Sequence, residues 1–235
     1  MASRFGLIEK LKDYPFFTVN DVAKLIGRSG TYPCIFLHRL VKRGIVKRIA
    51  RGKYTAQDDP FTFASSLYPP SYLGLWSALR FHDMTTQLPR IVFVLTARKR
   101  AEMEFGPSTL KFLPTRHLWG FERHNHQGFQ VLVSDREKTV VDCLLTGLVA
   151  VDEVFDAMKS AELDEGKLAE YALKTNSKAL AQRLGFLMEK AGMNAEPLMK
   201  MRGTTTIPLE RGVRKGARSG RWRVVYDEVI FYDQP

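Results

Sequence analysis

The sequence predicts an α+β fold, and three patterns support this prediction. Apolar residues recur at helical spacing before residue 45 and again from residue 135 to residue 192. Between these regions lie short apolar runs, such as "RIVFVLT", that have the composition of strands. Glycine and proline punctuate the runs. We therefore expect one small domain over residues 1–57 and a mixed α/β domain over residues 58–235.

Two helices are predicted before residue 27. Apolar residues at helical spacing continue up to "DYPFF", where Pro15 ends the first helix. Thr18 stands three residues before Asp21, which is the spacing of a capping box at the start of a second helix. Gly27 is placed to end that helix as a C-terminal glycine.

A third helix with two different faces is predicted between the turn "RSGT" and Gly44. Pro33 suits a first helical turn. Leu37 and Leu40 lie on the face that we expect to point inward. The outward face is expected to carry Ile35, Arg39 and Lys42.

The stretch "VKRIARGKY", residues 46–54, predicts a basic β-hairpin. Val46 and Ile49 are spaced as in a strand, and Arg51 with Gly52 reads as a tight turn. Gly52 allows that turn without steric cost. Three short helices followed by a basic ribbon are typical of a winged helix-turn-helix.

The charge of the chain is concentrated in blocks. Of the formal net charge of +11, residues 1–57 carry +9, residues 58–197 carry −2, residues 198–223 carry +7 and the last twelve residues carry −3. Such blocks indicate a polyanionic partner, most commonly nucleic acid. Winged helices also serve as protein-interaction modules, however, and basic faces are often only solvated.

We expect the predicted winged helix to bind double-stranded DNA at an operator, for which an inverted repeat is one form. A helix fits the major groove, where side chains reach base edges. Phosphate contacts from other cations set position and affinity without reading sequence. The residues expected at base edges are Arg28, Ser29, Thr31 and Tyr32; those expected at phosphates are Arg39, Lys42 and Arg43; and the ribbon tip contributes Arg48, Arg51 and Lys53.

The two cysteines and the apolar segments indicate in which cellular compartment the protein is expected. Cys34 and Cys143 lie in apolar helical patterns and are predicted to be small core residues in a reducing compartment. The N-terminus has no apolar segment typical of a signal peptide, and "CLLTGLVAV" is too short to span a bilayer. We expect a soluble cytoplasmic protein without a membrane partner or a cofactor.

Residues 58–235 predict strands first and helices later. Ser71 is expected to cap the helix "YLGLWSALRFH". "TLKFLP" and "GFQVLVSD" are expected to be strands beside "RIVFVLT", and "GTTTIPLE" and "RWRVVYD" are expected to close the chain as strands. The predicted helices are "DREKTVVDCLLTG", "VDEVFDAMKSA", "EGKLAEYALK" and "SKALAQRLGFLMEKAG".

Two constellations in this region invite a catalytic or metal-binding interpretation. His117, His124 and His126 are close in sequence, but no Cys or carboxylate cluster accompanies them, so no metal site is predicted. Asp135, Glu137 and Lys138 resemble nuclease carboxylates. They open a helix instead, where acids interact favourably with the helix dipole, and no catalytic residue is predicted.

A glycine-rich basic segment, "RGVRKGARSGRWRV", lies near the C-terminus. One interpretation is an exposed loop between two strands. The other is a second phosphate-contacting surface, or a docking patch for tRNA or an acidic partner. Trp222 is expected to anchor the adjacent strand in the core. The cations of this predicted surface are Arg211, Arg214, Lys215, Arg218 and Arg221.

The motifs "LHRLVKRGIVKRIARGKY", "YPPSYLGLWSALRFHDMTTQLPRIVFVLT" and "SDREKTVVDCLL" resemble the AbiEi antitoxin family over about residues 5–150. These proteins are the regulators of type IV toxin–antitoxin systems. The resemblance implies an N-terminal winged helix that represses its own operon. It also implies a C-terminal domain that neutralises a nucleotidyltransferase-like toxin without a stable complex. By resemblance, Arg39, Arg48, Arg51, Lys53 and Tyr54 fall at helix-three and wing positions.

The sequence thus predicts a DNA-binding transcriptional regulator, an AbiEi-like antitoxin and autorepressor, and not an enzyme. Two alternatives stay open at this point. One is a nucleic-acid-processing enzyme whose winged helix delivers a nuclease-like domain. The other is a stand-alone regulator that responds to a ligand or a partner. Neither the operator sequence nor the oligomeric state follows from the sequence.

Overall fold

A computed structural model describes residues 4–212 and 215–231 of the chain, which folds as two compact units. The first unit takes the residues up to Tyr72, together with Arg90–Pro114 and Arg123–Leu132. The second unit takes Leu73–Pro89, Thr115–Glu122 and the residues from Val133 onward. Helices and sheets are both present, which confirms the α+β class. The boundary at residue 57 stays a prediction.

The N-terminal part of the first unit has three helices and a three-stranded antiparallel sheet of order β1-β3-β2. Phe17 pairs with Tyr54, and Arg48 pairs with the same tyrosine from the other side. The predicted hairpin is therefore present, with a third short strand beside it. The elements are α1 (Arg4–Lys12), β1 (Phe17–Thr18), α2 (Val19–Ile26), α3 (Tyr32–Lys42), β2 (Lys47–Ala50) and β3 (Lys53–Thr55).

The ends of these elements follow from local chemistry. The backbone amide of Thr18 donates to the Asp21 carboxylate at 2.8 Å, and the Thr18 hydroxyl accepts from the Asp21 amide at 3.3 Å. This is the predicted capping box. Gly27 ends α2 at φ 63°, and Gly52 turns the hairpin at φ 72°. Both glycines occupy the left-handed region that other residues rarely adopt.

An apolar cluster holds this N-terminal part together. The inward face of α3 contributes Phe36, Leu37 and Leu40, of which Leu37 and Leu40 are predicted from the periodicity and Phe36 is not. Because these side chains are removed from water, they supply most of the driving force for packing the three helices on the sheet. The buried members are Leu7, Leu11, Phe17, Val22, Phe36, Leu37, Leu40 and Val46.

Cys34 and Ser71 depart from their predictions. Cys34 is exposed on α3, whereas Cys143 is buried as expected. The prediction for Cys34 is wrong because its position falls beside the buried stripe of α3 and not in it. Ser71 caps no helix: it lies buried in a strand, where its hydroxyl donates to the Ser65 carbonyl at 2.7 Å. The helix predicted from Tyr72 begins later, at Trp76.

The largest sheet has six strands in the order β6-β7-β5-β4-β9-β8. In the first unit β5 and β7 are parallel over six residue pairs, from Ile91 with Thr109 to Thr96 with Pro114. β6 is antiparallel to β7. The bounds are β4 (Ser71–Leu73), β5 (Ile91–Thr96), β6 (Met103–Phe105), β7 (Ser108–Pro114), β8 (Phe121–His126) and β9 (Phe129–Ser134), with the short helices α4 (Phe61–Ala64) and α5 (Trp76–Phe81).

The second unit holds the four helices predicted after residue 134 and a small sheet of order β10-β12-β11. Strand β10 is parallel to β12, and β11 is antiparallel to it. No helix of the described residues is long and apolar enough to cross a membrane. The bounds are α6 (Arg136–Thr146), α7 (Val151–Ser160), α8 (Glu165–Lys174), α9 (Lys178–Lys190), α10 (Glu196–Met199), β10 (Ile207–Pro208), β11 (Ala217–Ser219), β12 (Val224–Tyr226) and the 3-10 helix Glu228–Phe231.

Trp222 is the largest fully buried side chain of the described residues, as its expected core position implies. Its ring nitrogen donates to the Glu189 carboxylate at 2.6 Å. Its ring lies directly against Gly185 of α9, where there is no room for a Cβ atom. The side-chain amide of Gln182 donates to the carbonyls of Thr205 and Trp222, both at 3.0 Å. These contacts attach the segment before β12 to α9.

We expect Gly185→Ala to destabilise the protein by about 1–3 kcal/mol, because the added methyl group overlaps the Trp222 ring. Helix propensity alone predicts the opposite sign, a gain of about 0.5–1 kcal/mol. Urea unfolding followed by tryptophan fluorescence measures the difference. Gly220→Ala is the control, since a Cβ atom there meets open space. Equal stability of the two variants would contradict the packing at Trp222.

Candidate nucleic-acid interface

The outward face of α3 is exposed and carries cations around one apolar residue. Arg39 and Lys42 are exposed, and Ile35 keeps 46% of its surface accessible. These three residues lie as predicted, opposite the buried stripe. His38, which was not predicted, is exposed on the same helix. It occupies the position one turn after Ile35, so helical periodicity alone was sufficient to find it.

The segment before α3 places two predicted residues together. The guanidinium carbon of Arg28 lies 4.8 Å from the centre of the Tyr32 ring, a cation–π contact. Tyr32 is half-buried against the apolar cluster, so its ring is held in place and the Arg28 guanidinium packs on it. Ser29, Thr31 and Arg43 are exposed. This end of α3 therefore presents one oriented arginine and several small polar groups.

The hairpin separates its cations into two groups. Arg48 and Arg51 are exposed, Arg51 at the turn. Lys53 is half-buried instead, and its ammonium donates to the Leu67 carbonyl. Burial, and then the nearby charge of Arg100, lower the pKa of Lys53. Tyr54 packs against the apolar cluster. Lys53 and Tyr54 are thus engaged within the first unit, whereas the two arginines face solvent.

Three helices, a hairpin with exposed arginines and a cationic outward helix face make up this N-terminal part. Residues 6–57 match the family model described as transcriptional regulator, AbiEi antitoxin. The resemblance noted from the sequence is confirmed for this segment, hereafter the AbiEi segment. The match covers less than half of the chain. No curated protein matches the chain.

The AbiEi match bears on the class of the protein. The matched family is one of transcriptional regulators and antitoxins and is not a family of enzymes. Beyond the AbiEi segment, the resemblance proposed for residues up to about 150 stays a prediction. The chemistry of the second unit therefore has to be argued from its own side chains.

The basic C-terminal segment is partly neutralised within the second unit. The Arg221 guanidinium lies 3.3 Å from the Glu189 carboxylate and also pairs with Glu196. Arg211 borders a small cavity of about 150 Å³ together with Arg183. Lys215 and Arg218 are exposed. Arg214 lies outside the described residues. The second phosphate-contacting surface therefore stays a prediction, for which Arg211, Lys215 and Arg218 are exposed cations outside these ion pairs.

The histidines of residues 117–126 have separate surroundings. The Nε2 atom of His126 lies 2.7 Å from the Asp59 carboxylate. His117 packs edge-on against Trp119, and burial, with the charges of Lys138 and Arg116, lowers the pKa of His117. Among the described residues, no group of three His, Cys, Asp or Glu side chains is arranged to hold a metal ion.

The Asp135 and Glu137 carboxylates open α6, as predicted, and both contact α8. Asp135 caps the helix by accepting from the Lys138 amide at 2.7 Å and also accepts from the Tyr171 hydroxyl at 2.9 Å. The Lys167 ammonium lies 3.2 Å from Asp135 and 2.9 Å from Glu137. We call these residues the α6–α8 ion network. Its geometry joins two helices.

The pKa values of the network follow from these contacts. Burial pushes the pKa of Glu137 up, but hydrogen bonds from the Asp164 amide and Lys167 outweigh it and leave the pKa lowered. Burial and the hydrogen bond to Asp135 raise the pKa of Tyr171 to about 12. Lys167 is held charged, with a raised pKa, by the two carboxylates that outweigh its desolvation. At neutral pH Glu137 and Lys167 therefore carry opposite charges, whereas Tyr171 keeps its proton.

Beside the network lies a buried ion pair between Lys138 and Asp142, both almost inaccessible to solvent. The Lys138 ammonium also lies 4.7 Å from the centre of the Trp119 ring. Burial lowers the pKa of Lys138, although Asp142 opposes the shift. A buried ion pair of this kind is costly to break from one side, because the other charge is left unpaired.

We expect Glu137→Gln to lower the free energy of unfolding at pH 7 by roughly 1–3 kcal/mol, since a charge-assisted hydrogen bond is lost. A carboxyl with a lowered pKa stabilises the fold above its ordinary value of 4.5, and this contribution is lost as the pH falls through the folded pKa. The difference from wild type should therefore shrink below about pH 4.5.

Urea unfolding from pH 7 down to about pH 3 measures this difference, because the window lies below the ordinary pKa of 4.5. Glu170→Gln is the matched control, because Glu170 also contributes a carboxylate to the unit but is exposed on α8. A deficit in Glu137→Gln that is the same at every pH would show that the ionised carboxylate is not the source of the stability.

Proposed function

We propose that the protein is a DNA-binding transcriptional regulator whose residues 4–57 form a winged helix-turn-helix. The observation that carries this proposal is the two-sided α3, with Phe36, Leu37 and Leu40 buried and Ile35, Arg39 and Lys42 exposed. The AbiEi match over residues 6–57 supports it. In this proposal the protein acts in the cytoplasm on double-stranded DNA.

In this proposal α3 enters the major groove. Arg39, Lys42 and Arg43 contact phosphates and set the position of the helix. Arg28, held over the Tyr32 ring, reaches a base edge with Ser29 and Thr31, and a guanine is the base that an arginine fork recognises best. Ile35 contacts the methyl group of a thymine, which is the apolar feature of the groove.

The hairpin contacts the backbone through Arg48 and Arg51, the two cations that face solvent. Lys53 and Tyr54 have a different role. They hold the hairpin against the first unit, because the Lys53 ammonium is bonded to the Leu67 carbonyl and Tyr54 packs into the apolar cluster. This division narrows the set of wing residues predicted from the sequence.

The biological role follows from the family of the AbiEi segment. We infer that the protein represses its own operon and counteracts a nucleotidyltransferase-like toxin without forming a stable complex with it. The family match supports this role. In the α6–α8 ion network both carboxylates form ion pairs with Lys167. This pairing favours a structural role for that part of the second unit over a catalytic role.

The double variant Arg39→Ala/Lys42→Ala tests the phosphate contacts. The slope of log affinity against log salt should become shallower by about 1.8, which corresponds to two phosphates. Affinity should fall to a similar extent for the promoter of its own operon and for a random duplex, because phosphates carry no sequence information. Fluorescence anisotropy with labelled 30-base-pair duplexes measures both quantities.

Lys178→Ala/Lys200→Ala is the charge-matched control, since both lysines are exposed in the second unit. The regulator proposal fails if the wild-type protein binds no duplex, or if its binding does not depend on salt. The assignment of α3 fails if the control variant weakens binding as much as Arg39→Ala/Lys42→Ala does.

Ile35→Ala tests base reading. The preference for the promoter over a random duplex should fall by roughly 5- to 30-fold, or about 1–2 kcal/mol, for the apolar carbons removed, while random-duplex affinity stays constant. Leu148→Ala is the control, because Leu148 in the second unit has a similar exposed fraction of 48%. An equal loss of Ile35→Ala affinity on both duplexes would assign Ile35 to general packing and not to sequence recognition.

A further inference from the structure

Three consecutive cations follow strand β5 in the first unit. Arg98, Lys99 and Arg100 are all exposed. The Thr96 hydroxyl donates to the Arg98 carbonyl at 2.6 Å and so fixes the start of this loop. The net charge of residues 58–197 is slightly negative, so the block sums along the sequence do not reveal this local group of cations.

Arg98 and Arg100 border a cavity of about 320 Å³. Tyr68 and the two prolines that follow it form another wall, and Thr96 and Ala97 complete the lining. The cavity is therefore bordered by two guanidinium groups, one aromatic ring and small or rigid residues. Two arginines beside one cavity are suited to an oxyanion, because each guanidinium offers several donors in one plane.

Lys53 of the hairpin lies next to Tyr68, one of the residues that line the cavity. Its ammonium lies 4.8 Å from the centre of the Tyr68 ring, and the guanidinium carbon of Arg100 lies at the same distance from that ring. The Phe16 ring lies 5.0 Å from the Lys53 ammonium. Aromatic faces hold cations without neutralising them. Lys53 and Arg100 are thus brought together at the ring of Tyr68.

The positive charge of this cluster is not compensated by acids. Glu102, the nearest acid in the sequence, is paired with Lys111 at 3.5 Å, and Glu104 accepts from the Thr109 hydroxyl. In the described part of the chain, no carboxylate forms an ion pair with Lys53, Arg98 or Arg100. Burial and the charge of Arg100 lower the pKa of Lys53, which shows that the two cations repel each other.

We propose that Arg98 and Arg100, beside the Tyr68 ring that also holds Lys53, form a phosphate-binding site for the backbone of the same DNA duplex that the AbiEi segment binds. The inference rests on the proposed function and extends the DNA footprint beyond residue 57. DNA is the favoured source of the phosphate because Lys53 belongs to β3, directly after the exposed hairpin turn at Arg51. The two arginines supply charge-assisted hydrogen bonds, and Lys53 supplies charge.

The double variant Arg98→Ala/Arg100→Ala of the full chain tests this site. Its salt slope should be shallower than that of the wild type by about 1.8, so over a fourfold rise in salt it should lose about 12-fold less affinity. The loss of affinity at low salt should be the same on promoter and random duplexes. Fluorescence anisotropy at several salt concentrations measures the slope, and thermal unfolding verifies that the variant is folded.

Arg90→Ala/Arg123→Ala is a charge-matched control within the same unit. Both arginines are exposed: Arg90 precedes β5, at the end of the strand opposite to Arg98, and Arg123 lies on β8. The control should keep the wild-type slope. If Arg39→Ala/Lys42→Ala flattens the slope and Arg98→Ala/Arg100→Ala does not, the site is refuted while the regulator proposal stands. An equal flattening by the control also refutes it, because general charge then explains the effect.

A free phosphorylated molecule is the other source of the same chemistry. Isothermal titration with adenosine triphosphate distinguishes it. Saturable binding that disappears in Arg98→Ala/Arg100→Ala, together with an unchanged salt slope for duplex binding, would overturn the assignment to DNA. If wild-type protein binds no duplex at all, both the regulator proposal and this inference fail.

Discussion

The burial of one face of α3 is the constraint on which the candidate interface depends. Phe36, Leu37 and Leu40 are fixed in the apolar cluster with the side chains of α1, α2 and the hairpin. Because a helix turns once every 3.6 residues, fixing this stripe also fixes the direction of Ile35 and Arg39 on the other side. The hairpin follows the same logic with a period of two, since buried Ile49 leaves Arg48 exposed.

Neutralisation decides which of the basic residues remain available to a polyanion. Arg221 pairs with two glutamates. Lys167 pairs with two carboxylates of the α6–α8 ion network. Ion pairs within the second unit therefore already neutralise both cations. Arg39 and Arg100 form no ion pair in the described part of the chain. Charges summed in blocks along the sequence therefore overstate the basic surface near the C-terminus and understate the basic surface after β5.

The buried polar groups of the second unit have structural roles. Lys138 and Asp142 are almost inaccessible and paired, Trp119 covers the Lys138 ammonium, and the Gln182 amide reaches two backbone carbonyls. Buried polar groups of this kind are tolerated only when they are bonded, and they favour a single arrangement of helices.

Local chemistry determined most of what the sequence by itself predicts: the helix ends at Thr18 and Gly27, the turn at Gly52 and the two faces of α3 depend on neighbours a few residues apart. Only the tertiary structure decided the direction of Lys53, because Leu67 and Tyr68 lie more than ten residues away in the chain. The strand at Ser71 was decided in the same way. Packing joins residues that the sequence separates, and no periodicity records which distant partner each side chain meets.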